Sequence, residues 1–322
     1  MASLSKHEPP HKSVGKHLKR QLDQALDTLA KARINDEDVH QARKALKKAR
    51  ASLRLLRPAL KDADYRCVNA DLRDAAKPLS SVRDAKVLLD TLQMLVKRYG
   101  LPERALKLDG LTRALRSRRA HVRRDVLNPN GGALAHSRRL LRQSRTRIDD
   151  LVDRHQEEWK IIGAGLKRVY AQGRHALADA RENPRPEAFH EWRKEAKYLC
   201  YALERLDSLW SGVIGAMAKQ AHKLADHLGD EHDLTVLRET ALAARDSFSD
   251  EQTLPALLAL IEQRQSALRQ KAMYLGLRLY EEKPGIFAAR FGQYWKVAYA
   301  QRTAAESQRN LSFNSANTLR SI

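Results

Sequence analysis

Two stretches of the chain carry side chains whose types and spacing suit the capture of a polyanion. His40, Arg43, Lys44 and Lys47 stand at i, i+3, i+4 and i+7. His190, Arg193, Lys194 and Lys197 repeat the same HxxRKxxK pattern further along the chain. In a helix these positions share one face, so each stretch aims one imidazole and three cations to the same side. Arg54 continues the first stripe, Arg50 and Arg57 flank it, and no acid interrupts the chain from His40 to Arg57. A merely solvated helix face usually mixes charge signs through i,i+4 pairs. Stacked like charges cost stability unless an anion compensates them, so this face reads as an anion site. Lys and Arg would take phosphate oxygens, Arg in a two-pronged fashion, and each His would donate a hydrogen bond that favours imidazolium.

The second copy is thinner. Tyr201 and Glu204 stand where cations could extend it, and Cys200 occupies the place of Arg50. Further cations fall into stripes of their own: Arg113, Arg116, Arg119, Arg123 and Arg124 over one helical arc, then Arg138, Arg142 and Arg145 at i, i+4 and i+7. Solvated surface competes with anion contact as the reading of these arcs. Their counterparts in the second half reduce to Arg264, Arg269 and Lys271. Lys19-Arg20 and Lys167-Arg168 are matched pairs upstream of the two motifs, and Lys223 completes the set of candidate cations. Asp84 and Asp233 sit at equivalent places downstream. They could orient a groove cation, although capping a helix or pairing locally with Arg83 is the commoner role of such residues.

Other chemistries find little support. The sequence holds no GxxxxGK[ST] loop, no GxSxG and no convergent carboxylate pair, so no catalytic residues are expected. His222, His227 and His232 are spaced by five rather than by three or four, and the motif histidines stand beside cations, so neither a metal nor a cofactor is expected. Aromatic residues are only 6% of the chain and none interleaves with the basic stripes of the first half. That weighs against platforms for stacking single-stranded bases. Trp159, Trp192, Trp210 and Trp295 fall at positions typical of a helical core.

The elements that must position these side chains are helices. Ala, Leu, Arg, Lys and Gln dominate, and only 14 Gly and 10 Pro occur in 322 residues. Breaks at Asn35–Glu37, Pro58, Gly100–Pro102, Asn128–Gly132, Asn183–Pro186, Gly212, Ser247–Pro255 and Pro284–Gly285 delimit helical segments, with no alternating strand pattern between them. The matched anchors recur in the same order: Leu18-Lys19-Arg20 with Leu166-Lys167-Arg168, the two HxxRKxxK motifs, and Leu79…Asp84…Val87 with Leu228…Asp233…Val236. The expectation is an all-α protein of two tandem four-helix bundles related by a pseudo-two-fold around a basic groove. The bundles are placed at 15–155 and 156–305, between a disordered lead at 1–14 and a loose tail at 306–322.

The net charge of +21 points to an anionic partner, whether nucleic acid, an anionic membrane surface or a phosphate polymer. Residues 1–150 hold 35 Lys+Arg against 17 Asp+Glu, a net of +18, and the remainder a net of +3. The anion is therefore expected to lean on the first half. Two isolated cysteines, a polar N-terminus and the lack of a long apolar run suggest a soluble cytoplasmic protein without membrane insertion.

The repeated HxxRKxxK signature and the downstream Leu–Asp–Val segments resemble the CHAD family, the conserved histidine α-helical domain, over about residues 15–305. The resemblance implies two four-helix bundles meeting at a basic pore that binds inorganic polyphosphate, and association with polyphosphate granules in bacteria. Residue by residue it assigns His40, Arg43, Lys44, Lys47 and Arg50 in the first copy and His190, Arg193, Lys194 and Lys197 in the second, with Lys19, Arg20, Lys167 and Arg168 as lesser matches. Cys200 and Glu204 depart from the family pattern and would weaken the second wall. Many relatives carry a triphosphate-tunnel domain with an ExExK motif, which this sequence lacks, so the implied function is binding without hydrolysis. A nucleic-acid-binding protein using the same basic surface is the alternative.

Overall fold

A computed structural model describes residues 10–100, 107–128, 131–152, 158–248 and 250–319. Among these residues are ten α-helices and no strand. They are α1 Pro10–Leu29, α2 Asp36–Leu56, α3 Asp62–Arg98, α4 Asp109–Leu127, α5 Gly132–Val152, α6 Glu158–Glu182, α7 Pro186–Leu206, α8 Ser211–Ala243, α9 Thr253–Leu279 and α10 Pro284–Leu319.

Local signals set the ends of the motif helices. Asn35 caps α2 by accepting from the Asp38 amide, and the Asp38 carboxylate accepts from the Asn35 amide. This reciprocal box satisfies two amide donors that the first turn would leave unpaired. Three acids, Asp36, Glu37 and Asp38, favour the positive end of the helix dipole. At the other end Pro58 sits in a short 3-10 turn, Arg57–Ala59, that leads into α3. The second repeat uses the same plan, with Pro186 in the first turn of α7 and a 3-10 turn at Asp207–Leu209 before α8.

The anchors place α1 to α5 opposite α6 to α10, so each repeat holds five helices where four were expected. In the first repeat the additional helix appears where the one segment read between the breaks at Asn128–Gly132 and Asn183–Pro186 divides into α5 and α6. The lead and the tail also differ from expectation. Helix α1 begins at Pro10, inside the segment assigned to the disordered lead, because Val14 and Leu18 are already in the core. Helix α10 runs on to Leu319, through the expected loose tail, since no Gly or Pro follows Gly292. Trp192 is fully buried as expected, but Trp210 is 52% exposed and packs edge-on against Tyr294.

Helix α2 packs on α1 and α3, and α7 on α6 and α8. Across the repeats α2 lies against α6 and α7, and α3 against α8. Gly165 makes that approach possible: a Cβ there would stand 2.1 Å from the Leu55 carbonyl oxygen. One large core joins α1, α2, α5, α6 and α7 to the first halves of α3 and α8, the end of α9 and the start of α10. A smaller one joins the second halves of α3 and α8 to α4 and α9. Helices α3 and α8, at 37 and 33 residues, are long enough to belong to both. No helix among the described residues is long and apolar enough to cross a membrane.

Candidate functional site

The apolar arc of α2, formed by Val39, Ala42, Leu46, Ala49, Leu53 and Leu56, is buried throughout. Burying that arc forces the opposite, cationic arc outward. Helix α7 obeys the same constraint through Phe189, Trp192, Ala196, Leu199 and Leu203. The two cationic arcs do not diverge. They face a common cleft of about 550 Å³, walled by α2, α3, α7 and α8. From α2 come His40, Arg43, Lys44, Lys47 and Lys48; from α3, Arg83 and Asp84; from α7, Arg193, Lys197, Tyr201 and Glu204. Helix α8 adds His222, Asp226, Asp230 and Asp233.

Lys47 lies at the centre of the like charges. Burial, then Arg43 of its own helix and Arg193 and Lys197 of α7, push its ammonium down to about 7. Burial also lowers Arg43, opposed by the Asp84 carboxylate 3.6 Å from its Nη2. The imidazoles of His40 and His190 are held below their ordinary range by burial and neighbouring cations, and that of His232 falls to about 4. The charged form of the motif histidines is therefore disfavoured in the free protein. His190 itself packs on His232, with ring centroids 4.5 Å apart, and is not among the lining side chains.

Carboxylates occupy part of the cation array. Lys197 pairs with Asp226 at 3.0 Å and Lys48 with Glu204 at 3.2 Å. Asp233 is raised to about 6, chiefly by burial. Asp84 thus forms an ion pair with a groove arginine. Two donors remain unsatisfied. Arg43 Nη1 and Arg193 Nε are buried with no hydrogen-bond acceptor among the described residues. Each orphaned donor costs about 1–3 kcal/mol, and the two come from equivalent positions of the two repeats.

Smaller recesses extend the cleft at both sides. One of about 230 Å³ shares Lys48, Tyr201 and Glu204 with it and adds His17, Arg20 and Arg205. The other, of about 420 Å³, shares Arg43 and Lys47 and adds Arg50, Arg73 and Lys77. Cations therefore recur from Arg20 to Lys77 across three recesses that share lining residues, with Arg73 already held by Asp74.

A family model described as the CHAD domain matches residues 16–242. The chain belongs to the CHAD family. The CHAD chain resembles PptA from Streptomyces chartreusis with a TM-score of 0.62 at 16% identity, covering 85% of this chain and 100% of that one. It resembles the CHAD domain from the plant Ricinus communis with a TM-score of 0.57 at 20% identity, covering 86% and 92%. At such identities the likeness is one of fold. No match emerges among curated protein sequences.

Several expected site residues lie elsewhere on the CHAD scaffold. Arg54 does not continue the stripe. It donates to Glu195 on α7 at 3.0 Å and Gln172 on α6 at 2.8 Å and stacks on Tyr198, because its turn of α2 meets the other repeat. Lys194 turns from the cleft to Glu191, 2.6 Å away on its own helix. Arg119 and Arg123 bind Asp36 at the start of α2, and Arg138 donates to the Leu29 carbonyl, so these arginines hold the α1–α2 connection. Arg145 pairs with Asp23. Arg113, Arg116, Arg142, Lys167 and Lys223 are exposed away from the cleft lining, as is Lys19 at partial burial. Arg168 borders a separate hollow with Glu191 and Glu195. Arg269 is fixed on Glu231, and Arg264 lies near Asp230.

Sequence reasoning missed Lys48, Arg83, His17, Arg73 and Lys77. Lys48 and Arg83 adjoin residues already singled out, and Arg73 and Lys77 form an i,i+4 pair. Their neighbourhood to the motif depends on the α2–α3 and α2–α7 packing, which the sequence does not print. Among the described residues no group of three or more His, Cys, Asp or Glu is arranged to hold a metal ion.

Proposed function

We propose that this CHAD protein binds inorganic polyphosphate in the cleft between its repeats, without hydrolysing it. The family's association with polyphosphate supports the reading. The observation that carries it is the convergence of Arg43 and Lys47 with Arg193 and Lys197, cations of both repeats, on one cleft. A chain of phosphates offers acceptor oxygens at every unit, needs no base recognition and can follow the cations from Arg20 to Lys77. Its charge displaces the internal carboxylates from Lys197 and Arg43 and draws protons onto Lys47 and the imidazoles. The protein would act in the cytoplasm, at polyphosphate granules.

Labelled long-chain polyphosphate should bind the purified protein, and duplex DNA or RNA at equal phosphate concentration should not displace it. Displacement would favour the nucleic-acid reading, and release of orthophosphate would mark a hydrolase. Arg43→Glu, Lys44→Glu and Lys47→Glu together should abolish binding with helical content intact. Arg193→Glu, Lys194→Glu and Lys197→Glu should cost less, because Lys194 and Lys197 already have carboxylate partners.

A further inference from the structure

A second basic recess, distinct from the polyphosphate cleft, lies where the α1–α2 connection meets the end of α4 and the start of α5. Its volume is about 900 Å³. Five cations line it: Lys31, Arg33, Arg123, Arg124 and Arg138. Among the described residues no carboxylate lines it. Its floor is apolar, formed chiefly by Leu29, Ile34, Leu127 and Leu134.

Three of the five cations are already held, Lys31 by the Asp38 carboxylate among them. Arg123 and Arg138 are pinned by the Ile34 and Leu29 carbonyls, at 3.2 Å and 3.0 Å, so they shape the rim. Arg33 and Arg124 are exposed and form no ion pair among the described residues. Such a pair of uncommitted guanidinium groups above a leucine floor complements a ligand with both acidic and apolar side chains. A phosphate polymer or a nucleic-acid backbone would leave the floor unused. A bilayer surface would not reach into a recess between helix ends.

We infer that this recess is a docking site for an acidic amphipathic peptide segment of a partner protein. The partner's Glu or Asp side chains engage Arg33 and Arg124, and its Leu-like side chains cover the floor. The site joins the polyphosphate-binding chain to a second protein, and it stands whether or not polyphosphate is the ligand of the central cleft.

The test uses the full chain and a fluorescein-labelled helical peptide of Glu and Leu, read by anisotropy. Poly-Glu, structured RNA and phosphatidylglycerol vesicles serve as rival ligands. The Glu/Leu peptide should bind at least tenfold more tightly than poly-Glu. Arg33→Glu with Arg124→Glu should weaken it at least tenfold, while leaving polyphosphate affinity within twofold. Arg181→Glu with Arg238→Glu makes the same change of charge at exposed sites on α6 and α8 and should alter peptide binding less than twofold. Equal losses in the two double variants, or poly-Glu binding as well as the amphipathic peptide, would overturn the proposal. So would RNA or vesicles proving the ligand sensitive to Arg33 and Arg124, or polyphosphate affinity falling with them.

Discussion

Lys47 shows how function and stability oppose one another at a single residue. In the unfolded chain its amine titrates near 10.5, and in the folded protein at about 7. The folded state therefore disfavours its charged form. The resulting penalty is absent above pH 10.5, grows as pH falls, and is complete below 7. Lys47→Met should raise stability at pH 7 by about 1–3 kcal/mol in urea denaturation while weakening polyphosphate binding at least tenfold. Unchanged stability would show that Lys47 is not held among like charges. The same shift sets a pH dependence. A bound polyanion raises the Lys47 pKa, so binding takes up a proton and affinity should fall as pH rises through 7. Asp233, at about 6, reinforces that trend by gaining negative charge above pH 6. Titration calorimetry in buffers of different ionisation enthalpy should report proton uptake near pH 8; proton release would contradict the account. The motif spacing revealed that Arg43, Lys44 and Lys47 share a face. It gave no sign that Lys47 would be the residue pressed between both repeats, since that depends on Arg193 and Lys197 arriving from α7.

At the scale of the helices, Arg54 joins elements where the stripe pattern had it join the site. Its guanidinium reaches Glu195 on α7 and Gln172 on α6, and the Glu195 carboxyl is raised by its burial. Arg54→Met would strand that carboxylate and should cost about 3–5 kcal/mol of stability, with polyphosphate affinity of the folded protein changed less than threefold. A large loss of affinity without loss of stability would return Arg54 to the site. The apolar face of α2, from Val39 to Leu56, was fully legible because helical period alone decides which side is buried. The cationic side was only half legible. Periodicity says that Arg43 and Arg54 both leave the core, but packing decides that Arg43 lines the cleft while Arg54 meets Glu195 of the other repeat. The arginines of α4 and α5 illustrate the same limit: Arg119 and Arg123 fell in one arc and Arg138 in another, each with solvated surface as the rival reading, and their partners are Asp36 and the Ile34 and Leu29 carbonyls.

For the molecule as a whole, the repeat was readable because three anchors return in order, and it correctly announced two faces of related character. The count of helices was not, since no Gly or Pro marks the division between α5 and α6. The sequence singled out Asp233 but gave no sign of Asp226 and Asp230, which line the cleft because α8 packs alongside α7 and α3. With the cations of both halves converging, a polyanion that displaces about six counterions should lose roughly a thousandfold in affinity between 50 and 200 mM salt. A flat salt response would exclude an electrostatic clamp. The most direct test of the convergence is a double-mutant cycle across the repeats. Polyphosphate affinity would be measured for Arg43→Gln, Arg193→Gln and the combined variant. If both guanidinium groups hold one stretch of phosphates, the two losses should be non-additive by at least 1 kcal/mol. Strictly additive losses, or no loss from Arg193→Gln, would show that the two repeats do not share a ligand.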